Sequence, residues 1–168
     1  MSHWREARAV LLLPFTVTIV VPAAILWWTE ATNVGWGLGG AVAALPVLLG
    51  IALLAVGLVL VVWTIRLFSR IGEGTLAPWD PTSRLVVRGP YQHVRNPMIS
   101  GVAFILAGEA AVLGSPALAL WFAAVVAVNA IYIPVVEEPG LRQRFGGDYD
   151  LYAANVPRWL PRVRAWSP

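Results

Sequence analysis

Two short stretches of this chain gather the side chains best suited to chemistry. The first, "RGPYQHVRNPM" (Arg88 to Met98), sets Tyr91, His93, Arg95 and Asn96 between the turn signals Gly89-Pro90 and Asn96-Pro97. The second, "VVEEPGLRQRFGGDYDLYAANVPRWLP", opens on Glu137 and Glu138 and reaches Arg158 near its end. Guanidiniums recognise carboxylates or phosphates through charged hydrogen bonds, and carboxylates hold ammonium or hydroxyl groups. A histidine or glutamate can move a proton, and aromatic faces attract cations. Arg95 stands just before a helix start at Pro97, where free N–H groups and the helix dipole also favour an anion. The same arginines would serve equally as plain anchors at a membrane surface. The chain contains no cysteine, which excludes disulfides, thiol nucleophiles and cysteine-held metals, and no metal site is expected.

The elements around these stretches are those of a membrane protein. Of 168 residues 58% are apolar and 12% charged, where a soluble domain carries about 25% charged. Four apolar segments stand out: Val10 to Trp28, Ala41 to Ile65, Met98 to Leu113, and Ala117 to Val136. A crossing needs about 20 residues, so the third is short. The first is preceded by "MSHWREAR", but its length and its Trp27-Trp28 end favour a retained span over a cleaved leader. Pro14, Pro22, Pro46 and Pro134 fall within spans, where neighbouring helices satisfy the carbonyls they free. The expected fold is all-α: a single polytopic domain over residues 1–168, about four transmembrane helices, a loop at 66–97 and a helical tail at 137–168.

All basic residues are arginine. They precede the first span (Arg5, Arg8), fill the second connection (Arg66, Arg70, Arg84, Arg88, Arg95) and occupy the tail (Arg142, Arg144, Arg158, Arg162, Arg164); the other two connections have none. The positive-inside rule then puts both termini and the long loop in the cytoplasm, in an inner membrane. This placement explains the formal charge of +3 by an anionic membrane surface, without nucleic acid. Tail residues "VPRWLPRVRAW" suit a segment lying on that surface. The glycine-rich "GWGLGG" lacks the strand and location of a phosphate loop and reads as a turn.

The short "GSP" connection makes spans three and four an antiparallel hairpin, so Arg95 meets Glu137 and Glu138 at its cytoplasmic mouth. Leu141, Phe145, Tyr149 and Tyr152 recur at helical spacing and give that mouth an aromatic face. Glu109 and Asn129 are intramembrane polar groups with either structural or functional use. Asn129, Ile133 and Glu137 share a face at steps of four.

"GTLAPWDPTSRLVVRGPYQHVRNPM" and "EEPGLRQRFGGDYDLYAANVPRWLP" resemble the integral-membrane methyltransferases related to isoprenylcysteine carboxyl methyltransferase and phosphatidylethanolamine N-methyltransferase, from Gly74 to Pro161. Isoprenylcysteine enzymes carry Arg-His-Pro-x-Tyr where Arg95, Asn96, Pro97 and Ile99 stand here, so the chain looks more like the lipid-methylating and bacterial branches. The resemblance implies S-adenosylmethionine held at the cytoplasmic face and a small lipophilic acceptor, carboxylate or amine, entering from the bilayer. By position it assigns the cofactor to Tyr91, His93, Arg95, Asn96, Pro97, Glu137, Glu138, Tyr149 and Tyr152. Arg158, His93 and Glu138 become the catalytic candidates, an amine acceptor needing His93 or a glutamate as base. An NADPH-dependent membrane reductase of steroid 5α-reductase-like architecture and a non-enzymatic scaffold or transporter subunit stand as alternatives. Oligomeric state is not readable.

The cysteine-free background makes the orientation testable. Single cysteines replacing Ser2, Ser83 or Ser167 are expected to be shielded from an impermeant thiol reagent in intact cells, while Asn33→Cys reacts. Labelling of Ser83→Cys from outside would reverse the orientation.

Overall fold

The computed structural model describes residues 13–30, 32–71 and 85–168. The first arginines, the start of the first span at Val10, Arg84 and the opening of the first motif from Gly74 lie outside the described residues. Every regular element among the described residues is helical. Helix α1 covers Leu13–Thr29, α2 Ala44–Ile71, α3 Pro97–Leu113 and α4 Pro116–Tyr132. A π turn, Ile133–Glu137, carries α4 into α5, Glu138–Phe145, and α6 follows at Gly147–Asn155.

Two stretches are long and apolar enough to cross a membrane, Gly40–Leu67 with 28 residues and Pro116–Phe145 with 30. The 17 residues of α3 reach about 25 Å at 1.5 Å per residue, a turn short of the hydrocarbon core as its sequence suggested. Leu45, Leu48, Leu58, Val59, Leu120, Val128 and Ile131 all face outward. A helix surface of that composition has hydrocarbon, not water, as its solvent. This is an integral membrane protein.

Local sequence explains where the helices begin, end and bend. Asn96 and Pro97 open α3, Gly114 closes it in the left-handed region at φ 56°, and Ser115 caps α4 through the Leu118 N–H. In α1 the Val21 N–H bonds the Thr16 carbonyl instead of that of Val17, and Pro22 has no N–H to offer. The stranded Val17 carbonyl accepts from the Trp121 indole at 3.1 Å, which ties α4 to α1. A second π turn contains Pro134, and there the Glu138 N–H reaches back to the Ile133 carbonyl.

Glycines let antiparallel α2 and α3 approach backbone to backbone. A Cβ built on Gly57 would lie 2.6 Å from the Gly101 carbonyl oxygen, and one on Gly108 would lie 2.7 Å from that of Gly50. Backbones in such contact maximise the dispersion attraction that holds helices together in lipid. Buried Val61, Val102 and Leu106 continue this seam and gather Val17, Ile65, Trp121 and Phe122 around it.

The two arginine-free connections meet at one end: the Asn33 N–H bonds the Leu113 carbonyl at 2.9 Å and the Trp36 indole bonds that of Ala111 at 3.1 Å. At the other end the turn Gly89–Gln92 rests on Trp63 and Leu67 of α2. Leu141, Phe145, Tyr149 and Tyr152, which recur at helical spacing, fall on two helices, because Gly146 (φ 54°, ψ −130°), in a conformation only glycine adopts readily, separates α5 from α6.

Gly57→Ala should therefore lower stability by about 1–3 kcal/mol, because α2 and α3 must part. Gly140→Ala, in α5 with nothing within 4 Å of the added carbon, should be neutral or stabilise by up to about 1 kcal/mol. Thermal unfolding midpoints in detergent would compare the two.

Candidate functional site

Two separate pieces of chain converge on Glu138, whose side chain is 5% exposed. Arg158, from the tail, donates Nε to Oε1 at 2.7 Å and Nη2 to Oε2 at 2.9 Å, a bidentate pair. Arg95, from the loop before α3, brings Nη1 to Oε1 at 2.9 Å. The cluster thus holds two positive charges on one negative charge. Both carboxylate oxygens accept from guanidinium N–H groups, and the hydrogen bond to Glu138 pushes the Arg158 guanidinium further up from its ordinary pKa.

The π turn decides which glutamate enters. Steps of four would carry the face of Asn129 and Ile133 to Glu137, but the wider turn rephases the helix and turns Glu138 into the triad. Glu137 is half-buried and has no ion pair among the described residues. Its charge is still felt by the phenols of Tyr91 and Tyr149. Arg95 keeps a buried Nε with no hydrogen-bond partner among the described residues.

Aromatic groups roof this cluster. Burial, then the neighbouring Tyr152 and Glu137, pushes the buried Tyr91 phenol well above its ordinary pKa. Burial and the charge of Glu138 raise that of Tyr149, partly offset by Arg95. Burial followed by Tyr149 raises that of Tyr152, against Arg95. All three are neutral hydroxyls at physiological pH. Tyr152 donates to the Tyr91 carbonyl at 2.8 Å, and its ring meets Tyr149 edge-on at 6.2 Å and Trp166 at 6.0 Å. Leu141, Phe145, Tyr149 and Tyr152 do share one apolar cluster, despite the break at Gly146.

The tail beyond α6 runs as a strap along the first motif. The Arg95 N–H bonds the Pro157 carbonyl, the Arg162 N–H that of His93, and the Trp166 N–H that of Gln92, at 2.9, 2.9 and 3.0 Å. His93 Nδ1 lies 2.8 Å from the Arg162 carbonyl. A carbonyl only accepts, so Nδ1 carries a proton and the neutral ring keeps its lone pair on Nε2. Asn96 is buried, with its amide 3.5 Å from the Arg158 carbonyl, and Pro97 is fully buried as the first residue of α3. Every candidate from the two motifs is thereby gathered at one end of the hairpin. The strap itself was not legible, because its bonds use backbone groups that every residue carries.

Beside the cluster an apolar cleft of about 200 Å³ opens between α3 and α4. Ile99, Ala103, Phe104, Val125 and Val126 line it, with Ser100 and Asn129 as polar members and Trp159 of the strap at its mouth. The Asn129 amide donates within its own helix to the Val125 carbonyl at 2.8 Å, not to another helix. Gly101 lies apart from this cleft and packs against Gly57 of α2. Glu109 stays apart towards the far end of α3, with a buried, unpartnered Oε2 among the described residues.

The phospholipid methyltransferase family model matches residues 45–148, which include α2 to α5 and both halves of the first motif's contacts with Glu138. Protein-S-isoprenylcysteine O-methyltransferase B of Arabidopsis thaliana is 41% identical over 81 residues, 48% of this chain and 41% of that protein. The chain thus aligns with less than half the length of that curated relative. No solved structure matches it significantly. With more than half of the chain covered by the family's pattern, the protein belongs to the phospholipid methyltransferase family.

Proposed function

We propose that the protein transfers a methyl group from S-adenosylmethionine to a small lipophilic acceptor, a carboxylate or an amine, at the cytoplasmic face of the inner membrane, with four spans and both termini in the cytoplasm. The observation that carries this reading is the unpartnered, buried Arg95 Nε together with a Glu137 free of any guanidinium, both close enough to act on the Tyr149 phenol. A cation donor, an unpaired carboxylate and an aromatic face are the groups that an amino acid end and a sulfonium require. S-adenosylmethionine, when bound, supplies an electrophilic methyl group. Family membership favours this over the reductase and scaffold alternatives.

Arg95 would bind the cofactor carboxylate through Nε, and Glu137 the ammonium or ribose hydroxyls. Tyr91 and Tyr149 keep neutral hydroxyls beside them. Glu138 acts as a positioning residue: with both oxygens held, it fixes Arg95 and Arg158 and takes no proton. Arg158 then presents a cation to an anionic acceptor. An amine acceptor would give its proton to Glu137 or to Nε2 of His93, the groups with a free lone pair. The cleft would take the acceptor's hydrocarbon tail, delivered sideways from the bilayer with its reactive end towards Arg158.

Calorimetry with S-adenosylhomocysteine tests the cofactor assignment. Arg95→Ala and Glu137→Gln should each weaken binding about tenfold, since a charged hydrogen bond contributes about 1.5–3 kcal/mol, whereas Glu109→Ala should change it little. Glu138→Gln should in addition lower the unfolding midpoint, leaving two guanidiniums without their anchor, and Glu137→Gln should not. Unchanged binding in both Arg95→Ala and Glu137→Gln would remove the assignment.

For the acceptor, purified protein with radiolabelled S-adenosylmethionine should label a membrane-lipid extract, while tail-free thiols and amines react poorly. Mild alkali then releases methanol from an ester but leaves an N-methyl group in place. Turnover of short acceptors with no labelled lipid would exclude lateral entry.

A further inference from the structure

The strap is fastened at every fourth residue and bare between. Arg158 is held by Glu138, Arg162 by the backbone of His93, and Trp166 by Gln92 and the Tyr152 ring. Between these fastenings Leu160 is 82% exposed and Val163 96%, two aliphatic side chains facing away from the protein. Arg164 beside them is exposed and makes no hydrogen bond or ion pair among the described residues. Residues 157–168 contain three arginines and no acidic residue.

Depth follows from Trp159. Its side chain lines the cleft together with Ala103, which lies six residues, about 9 Å, along α3 from its first residue. The strap therefore runs where helices α3 and α4 enter the apolar layer, and Leu160 is the next residue along it. Aliphatic side chains at that level, flanked by guanidiniums, match an interfacial segment with apolar groups in the acyl boundary and cations among headgroups.

We propose that this strap is an anionic-lipid contact: Leu160 and Val163 insert between acyl chains, and Arg164 binds the phosphates of anionic phospholipids in the inner leaflet. Because the same segment is bonded through its backbone to Gln92, His93 and Arg95, lipid contact helps to hold the first motif in place. The proposal does not depend on the methyl-transfer reading.

The absence of native cysteine permits one probe per molecule. Val163→Cys, and separately Leu160→Cys, would carry a polarity-sensitive dye in full-length protein, one copy per nanodisc, with Gln143→Cys as the water-facing control. In discs of phosphatidylcholine with added phosphatidylglycerol both strap probes should shift to the blue and be quenched by nitroxide-tailed lipid, while the control stays quenchable by iodide. Without the anionic lipid the lipid-contacting population should fall about fivefold, the worth of one arginine near a charged surface. Arg164→Gln or high salt should produce the same fall. Iodide access at both strap positions, with no nitroxide quenching, would overturn the proposal. So would contact indifferent to lipid charge, or shielding found only in discs holding two copies.

Discussion

A carboxylate at the end of a membrane helix must be hydrated or neutralised, and Glu138 is neutralised from two directions at once. One guanidinium comes from the loop ahead of α3, and the other from the tail beyond α6. Neither contact is local in sequence. Together they close a ring through α3, α4, α5 and α6, so that loop, hairpin and tail share one fixed point. Removing either arginine would leave the carboxylate half-compensated in a poorly hydrated site, which is costlier than losing an exposed pair such as Arg142–Asp150.

That fixed point has a height as well as a position, and α2 supplies it. Gly50 and Gly57 lie against Gly108 and Gly101, so the short helix α3 cannot slide along the long one without a collision of backbones. Pro97 is held at a set level, and with it Arg95 two residues before. The Gly89–Gln92 turn resting on Trp63 and Leu67 secures the loop from the other side. Helix packing within lipid is thus what delivers a cation to the helix end.

Much of this was legible in the sequence because the signals are local. Apolar run lengths gave the helices within a few residues, Gly89-Pro90 and Asn96-Pro97 gave the turn and helix start, and the three-residue connection gave the hairpin. The meeting of Arg95 with the glutamates followed from that hairpin. What could not be read depended on atoms far apart. Only the π turn over Ile133–Glu137 distinguishes Glu138 from Glu137, and spacing by four does not reveal it. The glycine contacts needed both helices in view, since a heptad spacing within one apolar run specifies no partner. The helix break at Gly146 is hidden in the sequence because Leu141, Phe145, Tyr149 and Tyr152 fit a helix by spacing, and they still form one cluster across it.

The cleft and the charged cluster are joined by a single peptide unit, because Trp159 closes the one and Arg158 anchors the other. An apolar ligand pressing on the Trp159 ring acts on a backbone already held by Glu138 on one side and by His93 on the other. Filling the cleft would also expel water from beside the triad. Charges in a drier site interact more strongly, so the same event that seats a hydrocarbon tail strengthens the field around Arg95 and Arg158. On the proposed reading, such an arrangement would favour acceptors that carry both parts, since a polar group alone would meet the cations while they are still screened by water.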